Sequence, residues 1–341
     1  MRILDASYDI IEEKDITKLI ERVARVCYKS EDKIELGSDI ELITKLINKK
    51  HYAMLEHGSI CFAVSKEVYD EVCSCIEYFN NVIKDVNNVS DYRPVSRIRR
   101  TFEPQSGRYV VSGNLRAWME FLEDVEVYEM NQSGELNIII KYIRTASNGV
   151  VDFTHIVNDE LTKKEQFASI HQIRDFSELT PCERMTHETM TVLFTVDRGV
   201  THEMVRMRDA SFAQESTRYC NYGNSKFDAG VMFIKPHFFD KNSREYIRWL
   251  ELCNESEDAY LDLVNGFSST PQEARGVLAN AVKADIVVTA QLGEWRHIFK
   301  LRACDSTGPA HPQMKEVMVP CLQDAKAMFD FAFGDLEPAS V

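Results

Sequence analysis

The densest chemistry in the chain lies in one stretch, Arg206-Met207-Arg208-Asp209-Ala210-Ser211-Phe212-Ala213-Gln214-Glu215-Ser216-Thr217-Arg218-Tyr219. Three arginines and the hydroxyls of Ser211, Ser216 and Thr217 fall within thirteen positions. Guanidinium forks match phosphate oxygens two at a time, and serine hydroxyls complete such a shell. The composition suits a compact anion such as a nucleotide phosphate, with a solvated loop of Arg–Glu pairs as the alternative. Arg275 and Arg302, each on a helical segment with apolar neighbours, are further anion candidates or else structural ion pairs. His51, Glu56 and His57 read as a polar helix-to-strand junction rather than a metal or acid–base cluster, because positions i and i+6 do not share a helical face.

Ser216 as a nucleophile would need a base and an orienting partner. No Gly-x-Ser-x-Gly turn surrounds it, and no Gly-x-Gly-x-x-Gly or Walker-type loop occurs in the chain. A Rossmann oxidoreductase or a P-loop enzyme is therefore disfavoured. With 40 Lys+Arg against 54 Asp+Glu the net charge is −14, which repels polyanions and argues against a nucleic-acid polymer or an anionic membrane as partner. A small phosphate ligand held by a few arginines remains compatible. No stretch has the roughly 18 apolar residues of a membrane span. Met1-Arg2-Ile3-Leu4-Asp5 meets a charge before an apolar run develops, and nine scattered cysteines lack framework spacing. The expectation is a cytoplasmic protein with reduced thiols and no metal site, Cys73 and Cys75 included.

The elements that must position these residues are legible in part. Asp15 and Ser38 are placed to cap helices whose apolar residues recur at helical spacing, Ile16, Leu19, Ile20, Val23 and Leu42, Ile43, Leu46, Ile47. Ser59 to Val64 and Leu193 to Val196 read as strands. Thr270-Pro271-Gln272-Glu273 is a helix start with proline at the first position and a capping-box glutamate. That helix is expected to reach Lys283 or so, with Ile286-Val287-Val288 continuing it or forming a short strand. Further helices are expected from Leu292 to Leu301 and from Pro312 through Met328. Between about 70 and 185 the pattern is harder to place, with basic Arg93, Arg97, Arg99 and Arg100, a turn at Asn131-Gln132-Ser133-Gly134 and acidic Asn158-Asp159-Glu160. Ser112-Gly113-Asn114-Leu115-Arg116-Ala117-Trp118 echoes Thr289-Ala290-Gln291-Leu292-Gly293-Glu294-Trp295, a match short enough for chance or duplication.

Arg206-Met207-Arg208, seven residues and then Ser216 resembles the signature of the flavin-dependent thymidylate synthases, the ThyX family, in which it reads Arg-His-Arg, seven residues, Ser. The resemblance extends to His51–Val64, Asp197–Glu203, Pro271–Arg275, Trp295–Arg302 and His311–Met314. It implies an α/β fold of the α+β type, with a mainly antiparallel sheet flanked by helices. The whole chain, 1–341, would be a single ThyX-like catalytic domain with its core from 1–70 and 190–325 and an insertion at 71–189. It further implies a homotetramer and reductive methylation of dUMP to dTMP by methylenetetrahydrofolate, with FAD passing hydride from NADPH. By position, Glu203, Arg206, Gln214, Ser216, Arg218, Arg275 and Arg302 would hold dUMP, with Arg302 in the catalytic role beside the pyrimidine. His51, Glu56, Met207, Arg208, Ser211, Gln291 and His297 would fall in the FAD pocket. Three positions depart from the family on the flavin side: Met207 replaces the central His, and Gln291-Leu292-Gly293 replaces Asn-Leu-Arg. Two other readings use the same residues, a nucleotide-binding paralogue without catalysis and a flavin enzyme acting at C5 of another uridine-type nucleotide.

Overall fold

The computed structural model describes residues 1–85, 98–130, 133–157, 170–224 and 230–340. Arg93, Arg97, Asn131, Gln132 and the acidic run 158–160 lie outside these. The strands in chain order are β1 (Arg2–Leu4), β2 (Ser7–Ile10), β3 (Ser59–Val64), β4 (Arg99–Glu103), β5 (Arg108–Asn114), β6 (Ile170–Gln172), β7 (Thr189–Asp197), β8 (Ser211–Gln214), β9 (Met232–Ile234) and β10 (Lys283–Gln291). The chain condenses into two compact units, residues 13–22 with 33–189 and residues 1–12 with 23–32 and 190–341. The division differs from the expected insertion boundary, because residues 33–70 cluster with 71–189.

In the unit containing residues 33–189, the sheet runs β4-β5-β3-β6 and every pair is antiparallel. Strand β3 buries Ile60, Cys61, Phe62 and Val64, so it sits inside the unit with little alternation. Phe62, Phe79, Trp118 and Phe121 join it in one core with Leu136, Ile139, Ile140 and Ile143. The last four recur at i, i+3, i+4 and i+7 on the helix Gly134–Ala146, whose start is capped by the Ser133 hydroxyl accepting from Leu136 N–H at 3.2 Å. The helix after Ser38 begins one residue earlier than a serine cap predicts. Gly37, with φ 83°, holds the cap position, and the Ser38 hydroxyl instead donates to Glu21 at 2.7 Å.

In the other unit a four-stranded sheet runs β2-β7-β10-β8, and a separate parallel pair joins β1 to β9. The hydroxyls of Thr191 and Thr289 meet at 2.9 Å and Thr195 donates to Asp285 at 2.7 Å, so β7 and β10 run in opposite directions. The expected long helix after Thr270 is overturned. The capping box forms, Thr270 N–H donating to the Glu273 carboxylate at 2.8 Å. The helix nevertheless covers only Pro271–Ala274 and passes into a 3-10 turn at Arg275–Val277. Residues 283–291 are a strand instead, because the β-branched run Ile286-Val287-Val288-Thr289 is buried at the centre of a sheet. The helices Leu292–Arg302 and Pro312–Met328 form as expected, with a short further helix at Asp330–Phe333.

The sequence echo is structural. Each copy is the end of a strand turning into a helix, β5 into Leu115–Val127 and β10 into Leu292–Arg302. Cys61 pairs with Ser112 across β3 and β5, and Thr191 meets Thr289 at the matching positions of β7 and β10. The order β4-β5-β3-β6 corresponds to β8-β10-β7-β2. In one sheet the last strand follows the other three in the chain; in the other it precedes them. Among the described residues no helix is long and apolar enough to cross a membrane, and none of the nine cysteines is in a disulfide.

His187 is fully buried, with Thr101 Oγ1 2.8 Å from one ring nitrogen and Ser112 Oγ 2.7 Å from the other. Burial, reinforced by Arg99, lowers its pKa from 6.5 to about 4. The unfolded chain therefore binds the proton first, and stability contributed by neutral His187 is complete above the unfolded value and lost as pH falls through the folded one. Urea unfolding between about pH 7.5 and about pH 4 should show a loss of about 3 kcal/mol that His187→Gln largely removes. Parallel pH profiles for the two proteins would contradict this.

Candidate functional site

The short helix Arg198–Met204 is built by its own sequence. Asp197 caps it, accepting from Val200 N–H at 2.9 Å, and also accepts from the Gln313 amide at 2.6 Å. A Cβ at Gly199 would stand 2.9 Å from the Asp197 carboxylate, so a side chain there would press on the capping group. The far end of this helix carries Glu203, and the helix Leu292–Arg302 ends at Arg302. The two meet in a long 3.5 Å contact from Arg302 Nη1 to Glu203 Oε2. Arg302 Nε is buried without a hydrogen-bond partner among the described residues. A donor so placed costs free energy unless a ligand atom accepts from it. Gln214, at the end of β8, donates to Thr201 on the same helix at 2.9 Å. Glu203, Arg302 and Gln214 are thus gathered around one short helix.

The rest of the signature flanks β8. Arg206 and Arg208 precede it and are exposed, and so is Arg218 after it. No carboxylate pairs with the guanidinium groups of Arg206, Arg208, Arg218 or Arg275 among the described residues. The expectation of a loop of Arg–Glu pairs is thereby corrected. Arg218 instead lies 5.5 Å from the ring centroid of Tyr219, and its backbone N–H donates to Ser216 Oγ at 3.3 Å. On a chain of charge −14 these unpaired guanidinium groups are a local concentration of positive charge against the overall field. Arg275 lies in the exposed 3-10 turn rather than on a helix.

The residues expected to line a flavin pocket are more scattered. Met207 is buried, its side chain packed inward where a histidine would offer a polar ring. Ser211 is buried in β8 opposite Thr289, Gln291 starts a helix without capping it, and His297 is exposed. His51 and Glu56 belong to the other unit. There His51 is exposed, while Glu56 takes a 2.9 Å ion pair from Arg116, which also bonds Glu120 at 2.8 Å. The intact Asn114-Leu115-Arg116 is occupied structurally, since Asn114 caps its helix by accepting from Ala117 N–H at 2.8 Å.

One cluster had no precedent in the motifs. Lys283 Nζ lies 2.7 Å from Glu215 and 2.6 Å from Asp285, all three buried. Thr195 completes the Asp285 carboxylate, and Tyr222 donates to Glu215 at 2.9 Å. Two charges two apart in an otherwise uncharged strand, Lys283 and Asp285, were the available signal, because that spacing places both on one face. Among the described residues no group of three acidic, histidine or cysteine side chains is arranged to hold a metal.

Residues 129–329 match the family model described as thymidylate synthase complementing protein. The chain belongs to this family. It is 28% identical over 180 residues to the flavin-dependent thymidylate synthase of Corynebacterium glutamicum, covering 48% of this chain and 68% of that protein. It is 32% identical over 124 residues to the flavin-dependent thymidylate synthase of Pyrococcus furiosus, 36% of this chain and 49% of that protein. A crystal structure of the UMP/dUMP methylase PolB from Streptomyces cacaoi aligns over the full length of both chains at 13% identity, with a TM-score of 0.40 that is too low to argue from.

Arg206 and Arg218 are exposed and unpaired by carboxylate among the described residues, so neither side chain has an ion pair for folding to depend on. Arg206→Ala and Arg218→Ala should each shift unfolding free energy by no more than about 0.5 kcal/mol. Inorganic phosphate should raise the thermal midpoint of the wild type and lose that effect in both variants. Equal phosphate protection in all three proteins would contradict an anion site here.

Proposed function

We propose that this protein is a flavin-dependent thymidylate synthase, converting dUMP to dTMP with methylenetetrahydrofolate as carbon donor and NADPH as reductant. The observation that supports it most is the set of unpaired guanidinium groups around β8, in a chain of this family. Arg206, Ser216 and Arg218 take the nucleotide phosphate, with Arg275 as a further guanidinium. Glu203, Gln214 and Arg302 lie toward the base. Arg302 places a cation beside the pyrimidine, where negative charge developing on the ring is stabilised by a fixed donor in a partly water-excluded position. Glu203, 3.5 Å away, orients that guanidinium.

The donor set also fits an anionic cofactor, since the exposed Arg208 guanidinium is free of carboxylates among the described residues and suits a diphosphate. FAD, when bound, would supply hydride transfer; Arg208, His297, Ser211, Gln291 and Met207 are the residues of this unit assigned to hold it. His51 and Glu56 are assigned to the same cofactor, and a homotetramer in the cytoplasm belongs to the same reading. A second reading, nucleotide binding without catalysis, is favoured by the buried Met207 and by Gly293, which offers no guanidinium. An arginine at this position making a charged hydrogen bond to the cofactor would contribute about 1.5–3 kcal/mol of affinity that Gly293 does not supply.

Purified protein incubated with dUMP, methylenetetrahydrofolate, NADPH and FAD should form dTMP. Bound FAD without any dTMP would sink the thymidylate synthase reading. No FAD binding, with dUMP still bound, would favour the non-catalytic reading.

A further inference from the structure

The helix Ile16–Tyr28 ends on a residue that its backbone does not favour. Lys29 has φ 49°, in the left-handed region. Its N–H donates to Val26 O at 3.3 Å and Ser30 N–H donates to Arg25 O at 3.0 Å. That pair of bonds closes a helix at a position glycine ordinarily fills, because a side chain there is strained. Lys50 closes its own helix in the same left-handed conformation with an exposed side chain, so what sets Lys29 apart is that its side chain is held.

It is held by the buried cluster. Lys29 Nζ bonds the Asp285 carboxylate and lies 3.8 Å from Glu215, with Glu31 at 3.6 Å. Together with Lys283 it makes two cations against two anions, Glu215 with its side chain 1% exposed and Asp285 with 9%. Burial opposes the charged form of Lys29, but Asp285 and Glu215 outweigh it and hold its pKa above the ordinary lysine range. Such a buried set is not the most stable filling of the space, since apolar residues of similar volume usually do as well. The buried charges, rather than the backbone strain, mark a position fixed for geometry.

The geometry concerns one turn. Glu215 directly precedes Ser216, whose N–H donates to Cys27 O at 3.1 Å. Tyr28 and Tyr219 bring their rings to 5.7 Å. Residues 27, 28 and 29 therefore each touch the segment from Glu215 to Tyr219, which carries Ser216 and Arg218.

We propose that Lys29 is a positioning residue for the nucleotide site: it ties Glu215 and β10 to the helix end, and so fixes the turn that presents Ser216 and Arg218 to the phosphate. The ligand in this inference rests on the dUMP reading. Lys29→Gly is the direct test, because glycine relieves the left-handed strain while removing the ammonium; Lys29→Arg keeps a cation. In the full-length protein, Lys29→Gly should weaken dUMP binding about tenfold and raise KM in step, with kcat within about twofold, and Lys29→Arg should recover most of the affinity. Amide hydrogen exchange at Ser216 should accelerate in Lys29→Gly and remain slow in Lys29→Arg. If Lys29→Gly unfolds, Lys29→Gly with Asp285→Asn restores charge balance and should show the same loss of affinity.

A folded Lys29→Gly protein with wild-type dUMP affinity overturns the proposal, as does an unchanged KM with a collapsed kcat. Failure of the wild type to bind dUMP would overturn the nucleotide reading alone. The tie between Lys29 and the turn would then stand or fall on Ser216 exchange, and unchanged exchange in Lys29→Gly would refute it.

Discussion

Lys283 and Asp285 share one face of β10, a strand that is otherwise uncharged and buried along nearly its whole length. Charges in such a place must be neutralised within hydrogen-bond reach, because an isolated buried ion costs several kcal/mol. That requirement recruits Glu215 from the segment after β8, Thr195 from β7, Tyr222 from beyond the turn and Lys29 from the end of a helix. Once those partners are committed, the backbone around Ser216 has little freedom. Arg206, Arg208 and Arg218 can stay exposed and unpaired by carboxylate because their frame is held by other charges.

This division of labour explains what could be read in advance. Asp15, Thr270 and the prolines at 271 and 312 act within a few residues, so their helix starts were legible, and the arginine-rich signature is contiguous. The length of the helix after Thr270 was not. Its end depends on β10 being wanted at the centre of a sheet, which is a tertiary demand that local propensity does not carry. The left-handed Lys29 was invisible for a similar reason, since nothing nearby in sequence distinguishes it from a solvated lysine. Thr180-Pro181-Cys182-Glu183 forms a capping box as sound as that at Thr270, yet it lay in a stretch where periodicity was weak.

The two sheets show how one pattern takes two uses. At the β5 turn, Asn114 caps its helix and Arg116 is consumed by Glu56 and Glu120. At the β10 turn Gln291 does not cap, Gly293 bears no charge, and the helix ends at Arg302 with a donor still unpaired. The same strand-to-helix turn is capped by its asparagine side chain in one unit and left uncapped by its glutamine side chain in the other. The seven-residue echo was too short to separate duplication from chance, and only the matching strand order and pairing give it weight.

The central claim is that the turn at Ser216 is an anion site for a nucleotide phosphate. Calorimetric titration with dUMP and with deoxyuridine, at low and at raised salt, tests it most directly. The account predicts dUMP bound at least about a hundredfold more tightly than deoxyuridine, with the gap narrowing as salt rises. Equal affinity for the two, or a preference for deoxyuridine, would contradict it.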